Sequence, residues 1–252
     1  MRVLALNGSP RVEESNTERL LRPLLEGMSE AGADIQDFYL AKLTINYCTG
    51  CFGCWVRTPG QCYTWRDDMD ILMSRLNEAD LLILGFPLYV YTIPARVKTV
   101  LERMLPRAEP WFVPHPDCPE LSVHPRRNGK LAGLFIVSSA GMPEREAFSS
   151  LTATIEHIAK MTRMPLTGML LRPAAGILQA PELQEMLAPY FAAVRRAGAE
   201  LVRDGRVSDR TQAVLDAELL PGGREAYIAA ANNYWQARMA KHGNPGEIPG
   251  GV

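Results

Sequence analysis

The stretch RVLALNGSPRVEESNTERLLRPLLEGM, Arg2 to Met28, decides the fold. Its opening run, RVLAL, is apolar enough for a buried strand, and NGSP then breaks it with turn residues. Leu20, Leu21, Leu24, Leu25 and Met28 follow at helical spacing, and Ser15 or Asn16 is placed to cap that helix. The helix ends near Gly32, where a residue without a side chain can take a left-handed conformation. Strand, loop and helix are the first unit of an alternating pattern.

The pattern repeats along the chain. DIQDFYL (34–40) alternates as a second strand, and DDMDILMSRLNEA (67–79) is a helix with acidic residues in its first turn. DLLILGFPLY (80–89) is the most apolar strand, and PARVKTVLERML (94–105) is a helix opened by Pro94. KLAGLFIVSSAG (130–141) and LTGMLLRPAAG (166–176) are further strands, each followed by a helix, EREAFSSLTATIEHIAKMT (144–162) and PELQEMLAPYFAAVRRAGAELVRDG (181–205). Five apolar strands alternating with helices predict an α/β fold, a doubly wound five-stranded parallel sheet with helices on both faces. Residues 1–204 form that domain. Residues 205–252 extend it with the helical stretch REAYIAAANNYWQARMA and a Gly/Pro tail expected to fray. The proline-rich segment 106–128 reads as an irregular insertion of the kind that marks a lid or a subunit contact.

Composition narrows the function classes. The 252 residues are 47% apolar, ample for one core, and the net charge of -1 provides no global field to draw in nucleic acid or an anionic membrane. MRVLALNGSP is too short for a signal peptide's apolar region, and no apolar run approaches the ~20 residues of a membrane span. A cytoplasmic protein with small-molecule and protein partners is the expectation. In that reducing compartment, clustered cysteines are metal ligands or redox groups more often than disulfides.

Ligands of open α/β sheets sit at the carboxyl ends of the strands. The first such loop, NGSPRVEESNT, lacks the glycine signatures of dinucleotide and triphosphate sites. Hydroxyls of Ser9, Ser15 and Thr17, the Asn16 amide, Arg11 and the N–H groups of a helix start suit a single phosphate. They also suit an ordinary capped loop. In GFPLYVYTIPARVK (85–98), Pro87, Leu88, Tyr89 and Tyr91 place aromatic and apolar groups at a strand end, as a flat heterocycle requires. Taken alone, they could equally serve packing.

LNGSPRVEESNTERL followed by GFPLYVYTIPARVKTVLER resembles the paired signatures of the NADPH-dependent FMN reductase group of flavodoxin-like proteins, over about the first 105 residues. LAGLFIVSSAGMPE is similar to that group's third flavin-facing loop. The resemblance implies FMN, its phosphate held by Ser9, Arg11, Ser15, Asn16 and Thr17. The isoalloxazine would lie between Pro87, Leu88, Tyr89, Val90 and Tyr91 on one side and Ser139, Ala140 and Gly141 on the other. A homodimer or homotetramer is implied as well, with the flavin site completed by a neighbouring subunit.

YCTGCFGCWVRTPGQC (47–62) holds four of the five cysteines. Cys48, Cys51 and Cys54 recur every third residue, a ferredoxin-like way to supply three thiolates to an iron-sulfur cubane, and Cys62 supplies a fourth. The spacing also resembles the compact cysteine motif of the iron-sulfur flavoproteins, which belong to the same group and bind a [4Fe-4S] cluster there. Zinc accepts four thiolates but usually takes two separated pairs. A C-x-x-C pair cycling through a disulfide would leave two cysteines without a role. Trp55 and Trp65 flank the motif and would shield it, while Cys118 reads as a packing thiol. His115, His124, His157 and His242 show no pair at ligand spacing.

FMN and a cluster together would couple two-electron and one-electron donors. The reading is an oxidoreductase passing electrons from NAD(P)H or ferredoxin to a small acceptor such as a quinone, a flavin or an oxygen species. The alternatives are a metal-free NAD(P)H-dependent FMN or quinone reductase, and a zinc- or thiol-based redox sensor. Compact iron-sulfur flavoproteins lack much of the C-terminal extension, so the family's acceptor does not carry over.

Overall fold

The chain, described for residues 1–127, 129–130 and 132–242 by a computed structural model, folds in the order the periodicity predicts. Strand β1 (Arg2–Asn7) leads into helix α1 (Asn16–Glu30), then strand β2 (Asp34–Tyr39), a one-turn helix α2 (Gly53–Val56) and helix α3 (Met69–Glu78). Strand β3 (Leu81–Pro87) and helix α4 (Ala95–Arg103) precede a short pair of strands, β4 (Val113–His115) and β5 (Cys118–Val123). Strand β6 (Gly133–Ser139), helix α5 (Ser149–Thr162), strand β7 (Leu166–Arg172) and helix α6 (Gln184–Asp204) complete the alternation. Two helices follow, α7 (Asp209–Asp216) and α8 (Gly223–His242).

The main sheet is parallel throughout, in the order β2-β1-β3-β6-β7. This is the flavodoxin-like order, whose direction of winding reverses between β1 and β3. Side chains alternate across a strand, so Leu4 and Leu6 enter one core while Val3 and Ala5 enter the other. Against the first core pack α3, α4 and α5 through residues such as Leu72, Val97 and Leu151; against the second pack α1 and α6 through Leu20, Leu24, Tyr190 and Val194. Each such leucine contributes about 2 kcal/mol by leaving water. Edge strand β2 is only half-buried, matching its alternating sequence, whereas β6 is buried along its whole length.

Helices α1 and α6 touch backbone to backbone. A Cβ on Gly27 would overlap the Arg195 carbonyl, and one on Gly198 would overlap that of Leu24. Only glycine permits this approach, which seats α6 on the sheet beside α1.

Segment 106–128 departs from the irregular insertion the sequence suggests, for β4 and β5 pair antiparallel as a two-stranded ribbon. Pro114 and Pro119 sit within it because each strand of an isolated pair has one unpaired edge, where a missing N–H costs nothing. Helix α7 was also not expected. Its Ser208 cap accepts the Thr211 N–H at 3.3 Å, and Leu215 enters the core shared with α6. The tail, 243–252, lies outside the described residues. Among those described, no helix is long and apolar enough to cross a membrane.

Candidate active site

The loop after β1 is built from its own side chains. Asn7 accepts the Ser9 N–H at 2.9 Å through Oδ1 and donates to the buried Glu18 carboxylate at 2.9 Å through Nδ2. Ser9 Oγ accepts the Arg11 N–H at 3.3 Å. Ser15 caps α1, accepting the Glu18 N–H at 3.0 Å and donating to the Val12 carbonyl at 2.7 Å. Asn16 and Thr17 open the helix, where backbone N–H groups have no intrahelical acceptor and the dipole favours negative charge. Asn16 Oδ1 is held by Gln179 at 2.8 Å. Ser9, Ser15 and Thr17 are buried, while Arg11 is exposed.

The loops after β3 and β6 meet this one. Pro87 and Ser139 are register partners, and the Leu88 N–H donates to the Ser139 carbonyl at 2.8 Å. Ser139 Oγ lies 3.2 Å from Thr17 Oγ1. The Ala140 N–H bonds the Arg172 carbonyl at 2.9 Å, and the Gly141 carbonyl accepts the Tyr227 hydroxyl of α8 at 2.7 Å. All three sequence-predicted groups therefore converge at the carboxyl edge of β1, β3 and β6. This is the point where the winding reverses and ligands of such sheets bind.

Local backbone strain collects on these loops. Val12, Val90 and Tyr91 have φ of 42°, 47° and 61°, a region that branched and bulky side chains rarely occupy. Val90 and Tyr91 form a tight turn closed by reciprocal Tyr89 and Thr92 backbone bonds of 3.2 and 3.0 Å. It leaves Tyr89, Val90 and Tyr91 exposed. Strain of this kind persists where the surrounding structure enforces a functional geometry.

The cysteine motif forms a second site. Cys48, Cys51, Cys54 and Cys62 line one small open cleft, walled by Phe52, Trp65, Leu105 and Pro106. Phe52, with φ of 52°, turns the chain so that α2 carries Cys54 inward. Cys54 is buried, and that burial, with Cys48 and Cys51 nearby, pushes its pKa above the usual thiol value. Cys51 is exposed, and its pKa is lowered by the Thr64 hydroxyl 3.3 Å away and the Gly53 N–H. The Trp65 N–H points at Cys62 Sγ, 3.4 Å away. Among the described residues, no three His, Cys, Asp or Glu side chains are grouped as a site for a metal ion.

The pair that holds this loop escaped the sequence reading. Arg103 of α4 grips Asp67 with two bonds of 2.8 and 2.9 Å, and both side chains are almost wholly buried. Asp67 also accepts the Asn46 N–H at 2.9 Å and its amide at 3.1 Å, while Arg103 donates to the Asn46 carbonyl at 2.6 Å. Burial alone would raise the Asp67 pKa, but Arg103 and Asn46 outweigh it and hold the carboxyl at about 2. Both ends of the cysteine segment are thus clamped to α4. Glu18, Gln179 and Tyr227 were likewise missed, since no motif marks a side chain whose partner is distant in sequence. Cys118 is half-buried on β5 and His157 is exposed on α5.

The sequence model described as NADPH-dependent FMN reductase matches residues 1–165. The chain belongs to that family. An iron-sulfur flavoprotein of Archaeoglobus fulgidus is 32% identical over 148 residues, 58% of this chain and 59% of the relative. An iron-sulfur flavoprotein of Methanocaldococcus jannaschii is 36% identical over 106 residues, 42% of this chain and 53% of the relative. The chain thus spans little more than half the length of these two relatives. An FMN-dependent NADH-azoreductase of Bacillus anthracis, solved with FMN, superposes at a TM-score of 0.59 with 15% identity, over 80% of this chain and 99% of that one. An NAD(P)H:quinone oxidoreductase of Methanothermobacter marburgensis superposes at 0.57 with 17% identity, over 80% and 96%. At such low identity these two structures establish the shared fold. This FMN reductase family member therefore has a flavodoxin-like sheet with its three converging loops at the expected edge.

Proposed function

We propose that the protein is an FMN-dependent oxidoreductase with a [4Fe-4S] cluster, transferring electrons from NAD(P)H or ferredoxin to a small acceptor such as a quinone, a flavin or an oxygen species. The convergence of Thr17, Leu88 and Ser139 at the switch point carries the flavin half of this reading. Ser9, Ser15, Asn16 and Thr17 supply hydroxyl, amide and helix-start N–H donors for the phosphate, with Arg11 at its solvent side. The turn from Pro87 to Tyr91 and the backbone of Ser139 to Gly141 would border the ring. Association into a homodimer or homotetramer fits the exposure of Tyr89 and Tyr91 beside that position.

Four cysteines around one cleft carry the other half, supported by the names of the iron-sulfur flavoprotein relatives. The donor set fits a cluster. The Trp65 N–H aims at a sulfur, as hydrogen bonds that tune clusters do, and the apolar walls bury Cys54 while Cys51 stays exposed. When bound, FMN accepts a hydride as an electron pair while a cluster moves single electrons, so the two together join two-electron to one-electron chemistry. The chain itself holds, orients and shields. Arg103, clamped by Asp67, places a fixed ion pair on the wall of the thiol cleft.

A flavin reductase without metal, in which the cysteines are incidental, is the competing reading. Iron, acid-labile sulfide and flavin per chain, measured on protein purified without oxygen, separate the two. About four irons with one FMN are expected, with serine at Cys48, Cys51, Cys54 or Cys62 losing iron but keeping flavin. FMN without iron or sulfide, even after anaerobic reconstitution, would overturn the cluster.

A further inference from the structure

A second cleft, about 1370 Å³ of open space, lies between the C-terminal half of α4, strand β5 and the end of α5. Its floor is aliphatic and thioether: Leu101, Met104, Val123, Ile158, Met161 and Met164. Arg107, Arg126 and Arg163 stand around it. Among the described residues none of the three is paired with a carboxylate, whereas the neighbouring Lys98 is neutralised by Glu102 at 2.6 Å. Arg107 and Arg126 both donate to the Lys130 carbonyl, the former at 2.8 Å, so the two guanidiniums share one neutral acceptor. Arg107 Nη1 is buried with no partner among the described residues.

Half-burying like charges side by side is unfavourable unless something compensates them. The strain is visible in their acidity. Burial, then Arg126, brings the Arg107 pKa down to about 10, and burial, then Arg163, lowers that of Arg126. An anion at the rim would relieve the half-buried Arg107 and Arg126, with the exposed Arg163 beside them to complete its recognition, and the floor beneath favours an apolar body over a free inorganic ion. We propose that this cleft binds a small anionic amphiphile, a carboxylate or phosphate head on an aliphatic or aromatic body, with Arg107, Arg126 and Arg163 receiving the head. The occupant is a free small molecule. Leu105 lines both this cleft and the cysteine cleft, and its carbonyl accepts the Trp55 indole N–H at 3.3 Å. Trp55 also packs at a tilt of 46° against His124, which lines the amphiphile cleft, at 5.0 Å between ring centroids. Its fluorescence reports occupancy.

Calorimetry on the 252-residue chain with monomeric dodecanoate tests the proposal. Saturable binding is expected, with acetate and dodecylammonium at least about tenfold weaker. The R126Q/R163Q variant should weaken dodecanoate by about tenfold or more while flavin content is unchanged. Met161→Trp, which fills the floor, should do the same, and dodecanoate should change the tryptophan emission of the native chain, a change that Trp55→Phe abolishes. Equal affinity for dodecylammonium, or unaltered dodecanoate affinity in R126Q/R163Q, would overturn it. So would binding only to anionic phospholipid vesicles, which makes the face a membrane contact, or loss of self-association in R126Q/R163Q without dodecanoate binding, which makes it a contact between copies.

Discussion

The hydroxyl of Thr17 lies 3.2 Å from that of Ser139, joining the first turn of α1 to the end of β6 across 122 residues of sequence. Both side chains are buried, so each hydroxyl depends on the other. Thr17→Val keeps the shape and orphans Ser139, costing about 1–2 kcal/mol of stability. Adding Ser139→Ala removes the orphan, and stability should largely return. Flavin affinity should not return, because the double variant still lacks both hydroxyls at the loop junction. Thermal melts alongside FMN titration of the apoprotein separate these effects, and recovery of both would deny the pair a role in flavin binding.

Asp67 and Arg103 make the cysteine loop acid-sensitive. The folded Asp67 pKa, about 2, lies below its ordinary value. Its stabilising contribution is therefore complete above about pH 4 and is lost as pH falls toward the folded value. Asp67→Asn leaves a buried guanidinium uncompensated and should cost about 3–5 kcal/mol in urea unfolding. That loss should be nearly absent at the acid end of the titration, where the native carboxyl is protonated too.

Thiol reactivity should be unequal within the motif. In metal-free protein at about pH 8, iodoacetamide should modify Cys51 first and Cys54 last, because one pKa is lowered and the other raised by burial. Peptide mass spectrometry over time reads the order. Uniform modification would mean that the loop is open when the cleft is empty.

The Val90–Tyr91 turn stores strain that glycine or asparagine would release. Val90→Asn with Tyr91→Gly fits the left-handed geometry and should stabilise the fold by about 1 kcal/mol or more. If the turn borders the flavin ring, turnover with a pyridine nucleotide should fall even as the melting temperature rises.

Helix α8 is anchored near its start, where Tyr227 bonds Gly141 and Arg224 pairs with Glu144. Beyond Ala231 its residues with described exposure lie open, including Tyr234, Trp235 and Met239. A chain ending at Gly222 should keep its melting temperature within a few degrees, since little apolar area is lost from the core. Its flavin should dissociate faster, because the Gly141 loop loses its tether.

The alternation of Leu20, Leu24 and Met28 with the apolar runs at β1, β3 and β6 determined the sheet and its helices, since side-chain periodicity is a local property. The Ser15 cap and the hydroxyls around it were legible for the same reason, as was the spacing of Cys48, Cys51 and Cys54. Tertiary structure alone decided the rest. Arg103 finds Asp67 across 36 residues and Tyr227 finds Gly141 across 86, and nothing in either local sequence encodes its partner. The β4–β5 ribbon was hidden because prolines that deny a central strand are harmless on an edge. The arginines around the amphiphile cleft come from segments separated in sequence, and only the packing of β5 against α4 and α5 brings their charges together over one apolar floor. Local patterns specify elements, whereas a site requires the distances between them.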